Sequence, residues 1–575
     1  MHFIVITGGC ISGLGKGTLA GAVGALLKAR GEIITHVKID PYINVDAGMM
    51  GPSEHGEVFV TADGAEVDLD IGHYERCQQI SLSKLHSITT GKVYGNVINM
   101  ERDGKYLGKT VQSIPHITDE IIREIKLAAC IPVEHGGEKH PPTTCIVELG
   151  GTLGDIESAI FLQAISIMYK QIRKENSQQI TRFSSKPTVH IDVIHISLVP
   201  FVGEYKTKPT QQSVKFLREV GIEPTLIVGR TTTEFPFGKN LCEKIELFCG
   251  APCIQLSSKH KNIYGIPQHL YDCEFHKYIG KAFPAQTARK SLRLWNEYAA
   301  IIADSVTQTQ KTYQRIIIAG KYDCLDAYKS LVKAIEVAQI ESIRSGKSTA
   351  MFEVTVIDFE KLAEKNKCEN AAQIAEILRV PTVAGIIVPG GFGSRGFKGK
   401  KLAANFARQF SIPFLGICYG FQAAIVDFAE STFLDEPCKF DDDNEDSGNG
   451  IIKPIDLIQM NGQDAGLSMQ ELSRGINLGE KSMQLHGKFR EIYKSDTANE
   501  RFRHKSELNP QFAEQLERCG MLVGATLPNG NITGVYIEKL AFYVAMQYHP
   551  EFNSKFFGPN PIFSKFISAC CYFTS

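Results

Sequence analysis

The sequence predicts an α/β protein made of two doubly wound domains, each built on a mostly parallel sheet. Three observations carry that prediction. Short apolar runs alternate with helical stretches through both halves of the chain, and the alternation lapses once, near the middle. A glycine-rich turn follows the first apolar run, and a second tight turn, Gly416-Ile417-Cys418-Tyr419-Gly420, follows a run in the second half. At 575 residues the chain is too long for one core, which makes two domains the expectation.

In the first half, strands are expected at Phe3 to Thr7, Ile34 to Ile39, Thr144 to Leu149, Val193 to Val199 and Leu226 to Val228. Leu19 to Ala29 is rich in Ala and Leu and reads as a helix stopped before Gly31. Around Trp295 the strand signals cease, so residues 277–312 read as a mostly helical linker between domains at 1–276 and 313–575. The rhythm resumes at Arg315 to Ala319, Glu353 to Ile357, Gly385 to Val388, Phe414 to Ile417, Gly534 to Ile537 and Tyr543 to Gln547. The acidic block Asp441 to Asp446 lacks apolar periodicity and reads as a solvated loop.

Composition narrows the function classes. With 43% apolar and 22% charged residues the chain resembles an ordinary soluble globular protein, and a net charge of -1 gives no overall pull toward nucleic acid or membrane. No apolar run approaches the roughly 20 residues that span a bilayer, and the first strand begins at Phe3 without a charged and apolar leader, so a cytoplasmic protein is expected. The 15 cysteines are sparse for this length and read as free thiols. Neither Cys570-Cys571 nor the pair Cys249 and Cys253 has a second cluster at zinc-ligand spacing.

Two turns carry chemistry. In Gly8-Gly9-Cys10-Ile11-Ser12-Gly13-Leu14-Gly15-Lys16-Gly17-Thr18, glycines let backbone amides converge on phosphate oxygens while a helix start adds favourable partial charge. Lys16 is the candidate partner of the β- and γ-phosphates. Gly17 stands where Ser or Thr normally reaches magnesium, and Thr18 is displaced by one position. Hard oxygen ligands for Mg2+ must then come from elsewhere, and Asp70 and Glu148 are candidates, with an ordinary surface carboxylate as the alternative for each. Lys206-Thr207-Lys208-Pro209-Thr210-Gln211 reads either as a clamp on a second phosphorylated ligand or as a solvated basic turn.

In the second turn, Cys418 reads as an activated thiol on a sharp strand-to-helix bend, with His549 as its base and Glu551 orienting the imidazole. A free thiol ionises at a pKa of about 8.5, so a histidine partner and a helix N-terminus are needed to raise the thiolate fraction at neutral pH. Pro389-Gly390-Gly391-Phe392-Gly393 supplies flexible amides that could meet a tetrahedral oxyanion.

These segments, with Lys38 to Asp46, His55 to Val60, Asp70 to Arg76 and Glu148 to Ser158, together resemble the CTP synthase family over nearly the whole chain. The resemblance implies an N-terminal P-loop amidoligase domain and a C-terminal class I glutamine amidotransferase domain. It implies that ATP phosphorylates the uracil O4 of UTP and that ammonia, released from glutamine and passed between domains, displaces that phosphate at C4. By matching position, Gly13, Leu14, Gly15, Lys16, Gly17, Thr18 and Asp70 would hold ATP, Lys16 and Lys38 would face the transferring phosphate, and Asp70 and Glu148 would carry Mg2+. Ser12, Asp155, Ile156, Glu157, Lys206 to Gln211 (Thr207, Lys208, Pro209 and Thr210 between them) and Lys244 would form the UTP site, which overlaps the site of CTP feedback inhibition. Glutamine contacts are expected at Gly391, Tyr419, Gly420, Phe421, Gln422, Glu436 and Lys505. The family also implies activation by GTP and homotetramers that can stack into filaments.

In the glutamine site the chain departs from the family pattern in two places, and Arg230 to Lys244 is two residues longer than that pattern. The Asn-Ser-Thr-Glu-Phe segment is not legible, and Glu436 in Ser431 to Glu436 is its nearest substitute. Lys505 stands where an arginine that binds the glutamine carboxylate is expected, which keeps the charge but loses the bidentate fork. Two competing readings are a P-loop amidoligase acting on a carboxylate, opposed by Lys206 to Gln211 and Asp155 to Glu157, and a nucleotide-dependent assembly protein, opposed by Cys418, His549 and Glu551 together. Lys505→Arg should lower the apparent KM for glutamine several-fold in a steady-state assay; an unchanged or higher value counts against weakened carboxylate binding.

Overall fold

The computed structural model describes residues 1–180, 189–231, 236–257, 262–279, 291–307, 314–348, 351–366, 371–393, 395–434, 450–455 and 475–574. The acidic block at 441–446 and Glu436 lie outside the described residues, as do 280–290 and 308–313 of the expected linker. Two compact units emerge, one of residues 1–49 and 70–303, the other of 50–69 and 304–575. The rest of the linker region includes a helix, Arg293–Thr307.

In the first unit, β1 (His2–Gly8), β2 (Ile34–Asp40), β3 (Ser87–Thr89), β4 (Thr144–Leu149), β5 (His190–Leu198), β6 (Leu226–Thr231) and β7 (Cys253–Ser257) form a sheet ordered β7-β6-β5-β1-β4-β2-β3. All its pairings are parallel. Every residue of β1, β2 and β4 is buried, as a sheet covered by helices on both faces requires. Parallel strands must be joined by crossovers, and three of the helices that frame the site are α1 (Lys16–Ala29) behind the phosphate loop, α2 (Leu69–Gln78), and α3 (Lys208–Glu219) with α4 (Lys239–Cys249) packed against it.

The second unit holds β8 (Arg315–Ile318), β9 (Glu353–Val356), β10 (Val383–Val388), β11 (Phe414–Ile417), β12 (Asn477–Leu485), β13 (Thr497–His504), β14 (Met521–Thr526), β15 (Ile532–Ile537) and β16 (Tyr543–Met546). Their order is β9-β8-β10-β11-β16-β15-β14-β12-β13. The sheet is mixed: β9 through β16 pair in parallel, and every pairing from β16 to β13 is antiparallel. Alternate residues of its central strands face opposite cores, with Ile317, Ile386, Val388 and Phe414 on one side and Ile316, Ile318, Leu415 and Ile417 on the other. Helices α5 (Phe397–Gln409) and α6 (Tyr419–Thr432) pack against each other, and α6 follows β11 through Cys418 alone. Among the described residues no helix is long and apolar enough to cross a membrane.

A hairpin from the first half of the sequence, Phe59–Val60 paired with Glu66–Val67, belongs to this second unit. Arg501 donates to the Val60 carbonyl at 2.9 Å, and Arg503 pairs with Glu66 at 2.7 Å.

Backbone contacts fix the bend at Cys418. A Cβ on Gly420 would lie 2.0 Å from the Val388 carbonyl oxygen, and one on Gly416 would lie 2.8 Å from the Gly420 carbonyl oxygen. Gly420→Ala is therefore expected to lower stability by about 1–3 kcal/mol, read from the midpoint of denaturant unfolding.

Candidate functional site

In the first unit the charged side chains converge at the carboxyl edge of the parallel sheet, where such folds form their crevices. Lys38, near the end of β2, has its ammonium against Asp70 at the start of α2, 3.2 Å from Glu148 on β4 and 3.5 Å from Asp40. Lys16, at the first position of α1, donates to the Gly151 carbonyl at 2.7 Å. Burial works against charge on Asp70, yet Lys38 outweighs it and holds that carboxyl below its ordinary range. For Glu148 burial dominates and pushes the carboxyl up. Lys16 is pushed down by burial, with Glu148 and Asp70 pulling the other way.

This arrangement accounts for Gly17. A Cβ there would sit 2.4 Å from Asp70 Oδ1, so the carboxylate fills the space that a Ser or Thr side chain would need. Asp70 and Glu148 share one cationic partner, and two convergent carboxylates beside a phosphate loop match the way Mg2+ is usually held, with phosphate oxygens and water completing its shell. Among the described residues no group of three or more His, Cys, Asp or Glu is arranged to hold a metal by itself. Sequence reasoning missed Tyr74, although it lies within Asp70 to Arg76. Its buried hydroxyl donates to Glu148, and its ring stacks on His36 at 4.4 Å.

The other expected ligand residues of this unit lie in three stretches and at Lys244. Ser12, Asp155, Ile156 and Glu157 are exposed, and Thr152 donates to the Asp155 carboxylate. Lys206 pairs with Glu204 at 2.6 Å, Thr207 precedes α3, and Lys208 and Pro209 open it. Gln211 donates to Thr207 at 3.1 Å, while Thr210 is fully buried and its hydroxyl accepts from Ser197 at 3.1 Å. Lys244 is exposed on α4, where it helps hold Glu204 in its charged form after the larger effect of Lys206. Gly13 and Gly15 take positive φ angles of 70° and 85°, which suit glycine, and Leu14 is buried.

In the second unit, Cys418 takes φ 53° and ψ -101°, an uncommon conformation for a residue with a side chain. Its Sγ donates to the Arg503 carbonyl at 3.3 Å and accepts from Gln547 Nε2 at 3.6 Å. His549 Nδ1 donates to Glu551 Oε1 at 2.7 Å. His549 Nε2 is buried without a hydrogen bond of ordinary geometry, though the imidazole and the thiol interact electrostatically. Burial opposes charge on His549, but Glu551 and then Cys418 outweigh it and hold the imidazole up at about 10. Phe552 stacks on the imidazole at 5.0 Å and meets Phe59 of the hairpin edge-on at 5.1 Å.

Around this thiol lies the loop Pro389 to Gly393. A Cβ on Gly390 would come 2.8 Å from His549 Cε1 and 3.6 Å from Cys418 Cβ, so the loop borders both groups. Gly391 would tolerate a Cβ, its nearest neighbour being Tyr419 at 3.5 Å. Tyr419, Gly420, Phe421 and Gln422 are buried at the start of α6, and Gln422 donates to the Ser506 carbonyl at 2.7 Å. Lys505 is half-buried, and its carbonyl accepts from Ile455 at 2.9 Å. Nearby, Ser53, Lys321, Tyr322, Asp323, Cys324, Lys361 and Arg395 line a cleft.

Comparison with known proteins gives two family matches, "CTP synthase N-terminus" over residues 2–284 and "Glutamine amidotransferase class-I" over residues 325–569. A CTP synthase of Thermus thermophilus is 39% identical over 581 residues, covering 99% of this chain and 96% of its own. One of Candida glabrata is 37% identical over 592 residues, with the same two coverages. Among solved structures, the glutaminase domain of Trypanosoma brucei CTPS with bound acivicin is 27% identical, with a TM-score of 0.38, covering 45% of this chain and 94% of that one.

The sign of the histidine shift gives a test. His549 is raised from 6.5 to about 10, so the stability it draws from Glu551 is fully present below about pH 6.5 and is lost as pH rises through about 10. Glu551→Gln should melt below the wild type at pH 6, with the gap narrowing toward pH 10; a pH-independent gap counts against the ion pair.

Proposed function

The chain belongs to the CTP synthase family and is a glutamine-hydrolysing ligase; from that premise we propose how its residues divide the reaction. ATP binds along Gly13 to Thr18, and UTP lies against Ser12, Asp155 to Glu157, Lys206 to Gln211 and Lys244. The uracil O4 attacks the γ-phosphorus, a P–O4 bond forms, and the bond from that phosphorus to the β-phosphate oxygen breaks. Lys16 and Lys38 neutralise charge on the transferring group, as phosphoryl transfer chiefly demands. Asp70 and Glu148 hold Mg2+, which supplies further neutralisation and orients the phosphates when bound. The observation that carries this reading is Lys38 held between Asp70 and Glu148 beside the phosphate loop.

Ammonia then attacks C4 and phosphate departs with O4. Its source is the glutamine side-chain amide: the thiolate of Cys418 bonds to the amide carbon, the C–N bond breaks, and imidazolium His549 gives a proton to the leaving nitrogen. Glu551 holds the ring and favours its charged form, and amides of the Pro389 to Gly393 loop face the developing oxyanion. Water then hydrolyses the glutamyl thioester to glutamate. Lys505 meets the substrate carboxylate.

Family membership also supports a cytoplasmic location, inhibition by CTP, activation by GTP, and a homotetramer able to stack into filaments. The cleft lined by Lys321, Tyr322, Lys361 and Arg395 offers an aromatic ring among three cations, a chemistry suited to a purine triphosphate such as GTP.

Cys418→Ala should abolish CTP formation from glutamine while retaining at least half the rate with added ammonium. Loss of both activities in a folded variant would show that the two chemistries do not divide in this way.

A further inference from the structure

The loop beside Cys418 is held from behind. Lys400 of α5 is 3% exposed, and its ammonium donates to the Pro389 carbonyl at 2.5 Å and reaches the Gly390 carbonyl at 3.5 Å. Lys321, in the segment after β8, is 8% exposed and donates to the Phe392 carbonyl at 2.5 Å. Tyr419 donates to the Gly393 carbonyl at 2.6 Å. Four of the five loop carbonyls therefore have donors on them, supplied by three residues on separate segments of the chain.

A buried ammonium is costly unless its site compensates it. Among the described residues Lys400 has no carboxylate within ion-pair distance; its compensation is the pair of carbonyls and the Tyr419 ring, whose centroid lies 5.8 Å from the ammonium. The stems of both lysines pass 3.8 Å from where a Gly391 side chain would begin, so they lie directly against the loop. In a planar trans peptide the C=O and the following N–H point in opposite directions. Fixing the carbonyls of Pro389 and Gly390 on Lys400 therefore turns the N–H groups of Gly390 and Gly391 away from it.

We propose that Lys400, assisted by Lys321, is a positioning residue for glutamine hydrolysis, holding the Gly390 and Gly391 amides toward the oxygen that gains charge when Cys418 attacks. The inference rests on the glutaminase reading above. In that step the sulfur forms a bond to the amide carbon, the π pair moves onto oxygen, and donors already aimed at that oxygen lower the barrier without rearranging. Burial and then Lys321 push the Lys400 ammonium down to about 7, with Cys418 and Asp358 pulling the other way. Its hold on the loop thus draws on a charge that the site barely sustains.

The test is Lys400→Met, which keeps the length and apolar bulk of the stem but removes the donor. The expected result is a fall of about tenfold or more in kcat for glutamine hydrolysis, short of the roughly 100- to 1,000-fold seen when an oxyanion donor itself is removed. KM for glutamine should stay within about twofold and CTP formation from ammonium should be unchanged, whereas general disruption of the unit would move KM and lower the melting temperature as well. Should Lys400→Met fail to fold, Lys400→Leu, which likewise keeps apolar bulk and lacks the donor, carries the same expectation. A kcat within about twofold of the wild type, or a loss expressed mainly in KM, overturns the proposal. Absence of glutamine hydrolysis by the wild type would instead overturn the glutaminase reading on which it rests.

Discussion

The chemistry of the second unit depends on one close approach of backbone to backbone. Gly420 lies so near the Val388 carbonyl that no side chain fits between them, and Gly416 is equally confined by the Gly420 carbonyl. That contact lets α6 begin one residue after β11 ends, and the single residue between them must adopt a positive φ. Cys418 is the residue placed under that constraint. The strained turn projects the thiol at the sheet edge, where the backbone of Arg503, the amide of Gln547 and the imidazole pair have gathered. Without the two glycines the remaining groups would have nothing to surround.

The first unit solves a different problem, that of assembling like charges before any nucleotide arrives. Asp40, Asp70 and Glu148 would repel one another at this sheet edge, and Lys38 lies among them. Tyr74 takes part by donating to Glu148, and Gly17 by leaving room for Asp70. The hydroxyl absent from the phosphate loop thus has a steric counterpart in the structure: a longer side chain at residue 17 would exclude the carboxylate.

Much of this was legible in the sequence where burial is complete. Thr144 to Leu149 and Phe414 to Ile417 were bounded correctly because strands covered on both faces read as unbroken apolar runs. The antiparallel half of the second sheet was less visible. Asn477–Leu485 is buried only at intervals and carries Glu480, Lys481 and Gln484, so it offers no apolar run to detect. Lys400, and the steric reason for Gly17, escaped for a related reason: their significance lies in what approaches them in space, the Pro389 carbonyl in one case and Asp70 in the other. Tyr74 stood within a recognised segment, but its hydrogen bond to Glu148 joins residues 74 positions apart and leaves no local signal.

The hairpin at residues 59–67 alters what a domain boundary means in this protein. The polypeptide passes between the compact units at 49/50, again at 69/70, and a third time at 303/304, so a cut near the apparent linker severs only one of three crossings. A fragment beginning at residue 304 would lack the Val60 carbonyl that accepts from Arg501, the Glu66 carboxylate paired with Arg503, and the Phe59 ring against Phe552. The glutaminase half is therefore not one continuous stretch of sequence. It borrows 20 residues from the other half, and any recombination that exchanges these domains as contiguous blocks would separate the second unit from part of its own packing.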